Sequence, residues 1–393
     1  MEESKKLRLG ILGVGNMGSS HAKNILAGYC PEIVLAAVAD IAPERLEAFA
    51  KNISNQPARF ATAEEMLDSG IIDACLVAVP HYFHVQYAVE CMRRGVHVMV
   101  EKPAGVYTAA VREMNAEADR HPGVVFGMMF NQRTNPVYRK LRELVQSGRY
   151  GRIRRVNWII TDWYRPQAYY DSGDWRATWS GEGGGVLLNQ CRHQLDLLQW
   201  ICGMPVRVEA HMQFGRWHDI EVEDDVTAYL EYKDGATGVF VTSTGDAHGT
   251  NRLEIQMDGA RMIATAESLS VLEYDESEPA FSAHDTAPFA TVAAHELPLT
   301  LDGKNTQHVG VLNAFAGAVL RGEPLVADGR EGINGLTLSN VMHLSAFLNR
   351  PVELPFDEQL YHDELMKRVA VSRRKTGIRA MLADTAETYG GTH

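Results

Sequence analysis

Three side chains in two distant segments have the types and spacing for proton transfer at a hydroxyl group. Lys102 follows a short apolar segment and directly precedes a proline, which restricts the backbone on both sides of the bond. Asn189 and His193 are four residues apart in a segment predicted as a helix from Val186 to Cys202, so their side chains should project side by side. Histidine and lysine can act as general acids or bases, and an amide can bind a hydroxyl.

Each candidate also has a plainer interpretation that the residues alone leave open. Lys102 could be an ordinary surface lysine at a strand end. His193 could be a surface histidine paired with Asp196, which is predicted one helical turn further on. Whether these residues meet at one site therefore depends on the helices and strands predicted around them.

The N-terminal segment predicts such a site, because it has the order of a dinucleotide-binding unit. An apolar strand, Leu7 to Leu12, leads into GVGNMG, a helix to about Ala27, a second strand, Val34 to Ala39, and Asp40. In this motif the first glycine allows a tight turn, the second a close approach of backbone N–H groups to a pyrophosphate, and the third close helix–strand packing.

The acid at the end of the second strand indicates which dinucleotide is bound. Asp40 can accept hydrogen bonds from the adenosine ribose, and it disfavours the 2′-phosphate of NADP, although Arg45 is a basic group nearby. NAD is therefore the predicted cofactor, and an oxidised nicotinamide beside Lys102 would favour loss of the lysine proton. The predicted cofactor-binding residues are Gly13, Gly15, Asn16, Met17, Gly18, Asp40, Pro80, His81, His84, Glu101, Lys102 and Asn131.

The order of predicted elements changes near residue 130. Before it, strands and helices alternate, which predicts an α/β Rossmann domain (1–130) with a doubly wound parallel sheet. After it, a long strand from Ile153 to Tyr164 and several later strands predict an α+β domain (131–393) with a large, mostly antiparallel sheet for substrate binding and oligomerisation. Residues 275–296 are predicted to be irregular, and the C-terminal tail an arm or surface helix.

Composition narrows the class of protein. The chain of 393 residues has a net charge of −12, which argues against nucleic acid or an anionic membrane as a partner. The N-terminus has no apolar signal-peptide region, and no apolar run is long enough to span a membrane. Five scattered cysteines are typical of reduced thiols, so a cytoplasmic location is expected. The spacing of the remaining histidines predicts no metal site.

Three motifs together resemble the glucose–fructose oxidoreductase/inositol dehydrogenase (Gfo/Idh/MocA) family: GVGNMG, EKP, and GGGVLLNQCRHQLDLLQW. The resemblance implies that Lys102 and His193 are catalytic and that the Lys102–Pro103 bond is cis. The family's dehydrogenases commonly have aspartate where this chain has Asn189, which cannot exchange a proton. Asn189 is therefore predicted to position the substrate. The predicted substrate-binding residues are Trp163, Arg165, Trp175, Arg176, Asn189 and His193.

The resemblance implies an NAD-dependent oxidoreductase that oxidises a secondary hydroxyl, expected at C3, of a sugar or glycoside. Two alternatives remain: an NAD-dependent glycoside hydrolase that oxidises transiently and eliminates the aglycone, and a non-enzymatic sugar and NAD sensor. Retention of both Lys102 and His193 argues against the sensor. An antiparallel sheet left open to solvent would need a cover, so a homodimer or homotetramer is expected.

Overall fold

The computed structural model describes residues 5–51, 53, 56–373 and 375. Within these residues, six parallel strands form the first sheet: β1 (Leu7–Leu12), β2 (Ile33–Ala39), β3 (Ala58–Phe60), β4 (Ala74–Val77), β5 (His97–Val100) and β6 (Phe126–Met128). Their order across the sheet is β3-β2-β1-β4-β5-β6. This is the doubly wound Rossmann order, in which ligands bind at the carboxyl ends of the strands near the switch between β1 and β4. The predicted parallel sheet is confirmed.

Burial explains why these strands are almost continuously apolar. Ile11, Leu76 and Val98 lie in three neighbouring strands and are fully buried, since helices cover both faces of the sheet. The helices between these strands are α1 (Asn16–Leu26), α2 (Pro43–Lys51), α3 (Ala63–Asp68), α4 (His84–Arg93) and α5 (Thr108–Arg120).

The second sheet follows α6 (Pro136–Gln146). Among the described residues its strands are β7 (Ile153–Ile160), β8 (Arg207–Phe214), β9 (Glu223–Glu231), β10 (Thr237–Ser243), β11 (Asn251–Met257), β12 (Ala260–Ala264), β13 (Leu269–Tyr274), β14 (Ala294–Glu296) and β15 (Val352–Glu353). The order is β14-β13-β12-β11-β7-β10-β9-β8-β15. Neighbouring strands run antiparallel, apart from the parallel pair β7 and β10. The predicted mostly antiparallel sheet is therefore confirmed.

One face of the second sheet is covered by helices. The later helices are α7 (Gln167–Tyr170), α8 (Arg192–Cys202), α9 (Glu278–His284), α10 (Gln307–Arg321), α11 (Gly332–Leu348) and α12 (Glu358–Val371). Along β9, Val226 and Ala228 are buried while Thr227 and Tyr229 are exposed. This alternation places one face on a core shared with α8 and α11.

Two predicted boundaries in this region are wrong. Strand β7 ends at Ile160 instead of Tyr164, and the chain then leaves the sheet towards Pro166, which has no N–H for a strand ladder. The segment 275–296 is less irregular than predicted, since it contains the short elements α9 and β14.

Two late helices connect distant parts of the chain. On α10, Val311, Leu312 and Phe315 are buried in one apolar cluster with Leu9 and Ile11 of β1, so this helix packs against the first sheet. The predicted C-terminal helix is present as α12, whose Tyr361 and Leu365 are buried. The rest of the predicted C-terminal arm lies outside the described residues, apart from 372, 373 and 375.

Candidate active site

The glycine turn after β1 has the geometry that its sequence predicts. Gly13 has a φ of 91°, and its N–H donates to the carbonyl oxygen of Ala39 (2.8 Å). A Cβ added at Gly18 would lie 1.9 Å from the carbonyl oxygen of Gly13, whereas one added at Gly15 would meet no atom within 4 Å. Gly18 is therefore required for helix–strand packing, and Gly15 leaves open the space at the N-terminus of α1, where Asn16 and Met17 form the first turn.

Asp40 holds this turn in place. Its carboxylate accepts hydrogen bonds from the N–H groups of Val14 (3.0 Å) and Ala42 (2.9 Å), and Arg45 lies 3.9 Å away. The side chain is almost fully buried. Since each carboxylate oxygen can accept more than one hydrogen bond, these contacts leave capacity for a ribose hydroxyl.

Lys102 is braced through its neighbour Glu101 at the end of β5. The Glu101 carboxylate accepts a hydrogen bond from the N–H of Lys102 (3.0 Å) and lies 2.6 Å from Nε2 of His21 on α1. Burial opposes ionisation of Glu101, but the hydrogen bond and charge of His21, with His308 and Lys102, lower its pKa to about 2. Glu101 therefore stays ionised, and the Lys102–Pro103 bond is cis as the resemblance implies.

His193 lies in the first turn of α8 and is buried. Burial, with the positive charges of Lys102 and Arg192, holds its pKa well below the usual range. The imidazole is therefore neutral near pH 7 and can accept a proton. The structure brings His193 and Lys102 within electrostatic reach of each other, although they are far apart in the sequence.

The helix that carries His193 starts later in the structure than the sequence predicts. Helix α8 begins at Arg192 instead of Val186, and Asn189 lies in the turns before it. Asn189 and His193 therefore do not both lie on one regular helix, and the predicted helix start at Val186 is wrong.

Glu223 at the start of β9 explains the late helix start. Its carboxylate accepts hydrogen bonds from the N–H groups of Gly185 (2.8 Å) and Leu187 (3.0 Å), and its carbonyl oxygen accepts from Val186 (3.0 Å). A Cβ added at Gly185 would lie 2.0 Å from that carbonyl oxygen. These contacts tie the segment to the second sheet before the helix can begin.

Asp196 has a different partner from the one predicted. It forms a buried two-point ion pair with Nε and Nη2 of Arg133 (2.8 and 2.7 Å), and Arg133 also donates to Glu331 (2.7 Å). Asp196 therefore joins α8 to the segment after β6.

The predicted aromatic and basic residues gather around Tyr169, which the sequence did not single out. The Arg165 guanidinium lies 5.3 Å from the Trp163 ring and 5.2 Å from the Tyr169 ring. The Arg176 guanidinium lies 4.8 Å from Tyr169 and 4.5 Å from the Trp175 ring. The Tyr169 hydroxyl also accepts a hydrogen bond from Nδ2 of Asn189 (3.2 Å), so this loop reaches the turn before α8.

The loop after β4 contacts both the aromatic loop (residues 163–177) and the segment that follows β5. The ring centroids of His81 and Trp175 are 6.0 Å apart, and Nδ1 of His81 lies 3.3 Å from the carbonyl oxygen of Glu182. The two ring nitrogens of His84 lie 2.5 and 2.7 Å from the carbonyl oxygens of Pro103 and Val79. His84 therefore fixes backbone geometry beside Lys102.

The remaining predicted cofactor residues hold the surrounding backbone. The carbonyl oxygen of Pro80 accepts a hydrogen bond from the N–H of Phe83 (2.9 Å). Asn131 is buried after β6, and its Nδ2 donates to Oε1 of Gln307 on α10 (2.5 Å). Both residues lie at the same edge of the first sheet as Lys102, since they follow the carboxyl ends of parallel strands.

Comparison with known proteins agrees with this geometry. Residues 7–128 match the family model described as an oxidoreductase family with an NAD-binding Rossmann fold, and residues 138–263 match the model of the Gfo/Idh/MocA C-terminal domain. The chain belongs to the Gfo/Idh/MocA family. It is therefore an oxidoreductase, and its cofactor is NAD.

Relatives of this family member include named dehydrogenases. The chain is 24% identical to myo-inositol 2-dehydrogenase of Thermotoga maritima, over 88% of this chain and 98% of the relative. It is 30% identical to mouse (Mus musculus) trans-1,2-dihydrobenzene-1,2-diol dehydrogenase, over 60% of this chain and 68% of the relative. The WlbA dehydrogenase of Bordetella pertussis, solved with NADH and UDP-GlcNAcA, has a TM-score of 0.76 and 25% identity, over 91% of this chain and 100% of that one.

The described part of this Gfo/Idh/MocA chain contains no helix that is both long enough and apolar enough to cross a membrane.

Proposed function

We propose that this protein is an NAD-dependent dehydrogenase that oxidises a secondary hydroxyl of a sugar, polyol or glycoside. In a glycoside, the carbon that is oxidised is C3. The observation that supports it most is the place of Lys102 just after the carboxyl end of β5, where the neighbouring Glu101 carboxylate lies 2.6 Å from His21 of α1. The charge of Lys102 also acts on the buried His193. Two proton-exchanging groups at this edge of a Rossmann sheet suit the oxidation of a hydroxyl.

The residues present fit NAD. The N-terminus of α1, with open space at Gly15, suits the pyrophosphate, and the buried carboxylate of Asp40 suits the ribose hydroxyls. When bound, NAD supplies the hydride acceptor at nicotinamide C4. Glu101, with its low pKa and its hydrogen bond to the Lys102 backbone, keeps Lys102 at the edge of this cofactor site.

Lys102 and His193 share the hydroxyl proton in the proposed reaction. Burial and the neighbouring charges keep His193 neutral, so its imidazole is in the form that can accept the proton of the substrate hydroxyl. Loss of that proton favours departure of the carbinol hydride, which completes conversion of the alcohol to a ketone. The same two groups return the proton when the ketone is reduced.

The aromatic loop is proposed to hold the sugar. Trp163 and Trp175 offer ring faces, while the guanidinium groups of Arg165 and Arg176, which lie against these rings, offer N–H donors for sugar hydroxyls. Asn189, which hydrogen-bonds to Tyr169, is proposed to position a substrate hydroxyl next to His193. The expected homodimer or homotetramer stays a prediction.

A Gly15→Ala variant tests the proposed cofactor site. The added Cβ meets no protein atom, so the variant should fold normally, but it occupies the space proposed for the pyrophosphate. We expect affinity for NAD to fall about tenfold or more, because overpacking costs about 1–3 kcal/mol and 1.4 kcal/mol is tenfold. Titration calorimetry with NAD measures the change.

Gly123→Ala is the matched control, since its Cβ also meets nothing within 4 Å and it lies far along the chain from the glycine turn. Its affinity for NAD should equal that of the wild type. Wild-type affinity in Gly15→Ala would show that NAD does not lie over this turn.

A substrate panel tests the reaction itself. The purified protein is incubated with NAD and either myo-inositol, UDP-GlcNAcA or a series of aryl glycosides, while NADH and released aglycone are followed together. NADH formed in step with a keto product, without aglycone, is the expected result. Aglycone in large excess over NADH would establish the hydrolase instead. Saturable NAD binding without either product would favour the sensor.

A further inference from the structure

A buried carboxyl group contacts residues of the proposed substrate site and has no role in the reaction described so far. Glu182 directly precedes the Gly183–Gly185 segment and is 2% exposed. Its Oε2 accepts a hydrogen bond from the N–H of Ala177 (2.6 Å), and its Oε1 accepts one from Nδ2 of Asn189. Glu182 therefore links the aromatic loop to the turn that carries Asn189.

These contacts determine which way the Asn189 amide faces. Nδ2 of Asn189 has two hydrogens, and it donates both to Glu182 and to the Tyr169 hydroxyl (3.2 Å). The polar atom left for another partner is the amide oxygen, which can only accept a hydrogen bond. Because Asn189 is partly exposed, this position offers an acceptor to a hydroxyl donor.

We propose that Glu182 is a positioning residue that holds the Asn189 amide in this orientation, so that its oxygen accepts a hydrogen bond from a hydroxyl of the sugar or polyol. The inference rests on the proposed function, because it assigns this hydroxyl to the substrate of the same site.

The charges around Glu182 explain why a neutral side chain at position 189 is compatible with it. Burial raises the pKa of Glu182, whereas the Arg176 guanidinium favours its ionised form and Glu223 opposes it. A second carboxylate at position 189 would stand within hydrogen-bond reach of the first, and two such groups resist being ionised together. Other polar groups near Glu182 are His81, Tyr170 and Lys375.

The chemistry of amides predicts opposite results for single and double exchanges. In Glu182→Gln, the new amide oxygen must face the Ala177 N–H, so its NH₂ group would face Nδ2 of Asn189. Two donors then meet, and the Asn189 amide has to turn over. In Asn189→Asp, two carboxyl groups compete. In Glu182→Gln/Asn189→Asp, the glutamine oxygen accepts from Ala177 and its NH₂ donates to the aspartate, so an acceptor returns to position 189.

The experiment compares the wild type, the two single variants and the double variant. It measures kcat and KM with the panel compound that the wild type turns over fastest, NADH affinity, and the midpoint of urea unfolding. Each single variant should lose about tenfold or more in kcat/KM, since the hydrogen bond between these two side chains is replaced by a mismatched pair. The kcat/KM of the double variant should return to within about threefold of the wild-type value. The affinity for NADH should be similar in all four proteins.

The matched control is Glu113→Gln, an exposed glutamate on α5, which should leave kcat and KM unchanged. Losses that simply multiply in the double variant would overturn the inference while leaving the proposed function intact. Strictly additive shifts of the unfolding midpoint would overturn it as well, because they would show that the two side chains do not interact. Wild-type protein that turns over none of the panel would remove the proposed function and the role of Glu182 in it together.

Discussion

Replacing Lys102 with methionine is expected to lower kcat by roughly 10²- to 10⁴-fold, the usual contribution of a general acid or base. The charge of Lys102 acts on the buried, neutral His193, and the backbone N–H of Lys102 donates to the Glu101 carboxylate. Methionine keeps most of the volume but cannot exchange a proton, so the proton step loses one of its two proposed groups. Steady-state kinetics with the best panel substrate measures the loss.

The Lys102→Met variant should still bind NADH, because the glycine turn and Asp40 are untouched. Lys140→Met is the matched control, since Lys140 lies on α6 and pairs with the exposed Glu143 (2.8 Å); its kcat should equal that of the wild type. A loss of less than tenfold in Lys102→Met would contradict the assignment of Lys102 to proton transfer.

Replacing Arg133 with methionine is expected to cause the largest loss of stability. The Arg133 and Asp196 side chains are 1% and 2% exposed, and removing one partner leaves an unpaired buried charge. Breaking a buried pair in this way lowers the free energy of unfolding by about 3–5 kcal/mol. Chemical denaturation followed by circular dichroism measures the change.

Two controls isolate the effect of the ion pair. Arg149→Met removes an exposed partner of Glu273 and should change the free energy of unfolding little. Arg133→Met/Asp196→Leu removes both charges and should recover much of the stability lost in the single variant. Equal losses of unfolding free energy in the Arg133 and Arg149 single variants would contradict the predicted contribution of the Arg133–Asp196 pair to stability.

The sequence predicted the structure correctly where a turn or strand depends on residues close to it in the chain. The glycines at 13, 15 and 18 predicted the turn because each spacing has a direct steric meaning, and the structure shows the close approach at Gly18. The apolar strands of the first sheet were predicted because burial on both faces leaves a continuous apolar pattern. Lys102 was placed at the correct edge because it follows one of these strands.

Long-range contacts explain what the sequence could not show. The start of α8 depends on Glu223, whose carboxylate accepts hydrogen bonds from backbone N–H groups of the segment before α8. Asp196 pairs with Arg133, and α10 packs on β1, through contacts between residues far apart in the chain. Tyr169 and Glu182 had no periodic or motif signal, and their importance follows from their contacts with Asn189.

Isotope transfer tests the central proposal most directly. The best panel substrate is prepared with deuterium on its carbinol carbons, one position at a time, and incubated with the wild-type protein and NAD. The mass of the NADH formed is then measured. We expect one labelled position, C3 when the substrate is a glycoside, to transfer one deuterium to NADH. NADH without deuterium from any position, or label that stays entirely in the products while aglycone is released, would contradict the proposed dehydrogenase.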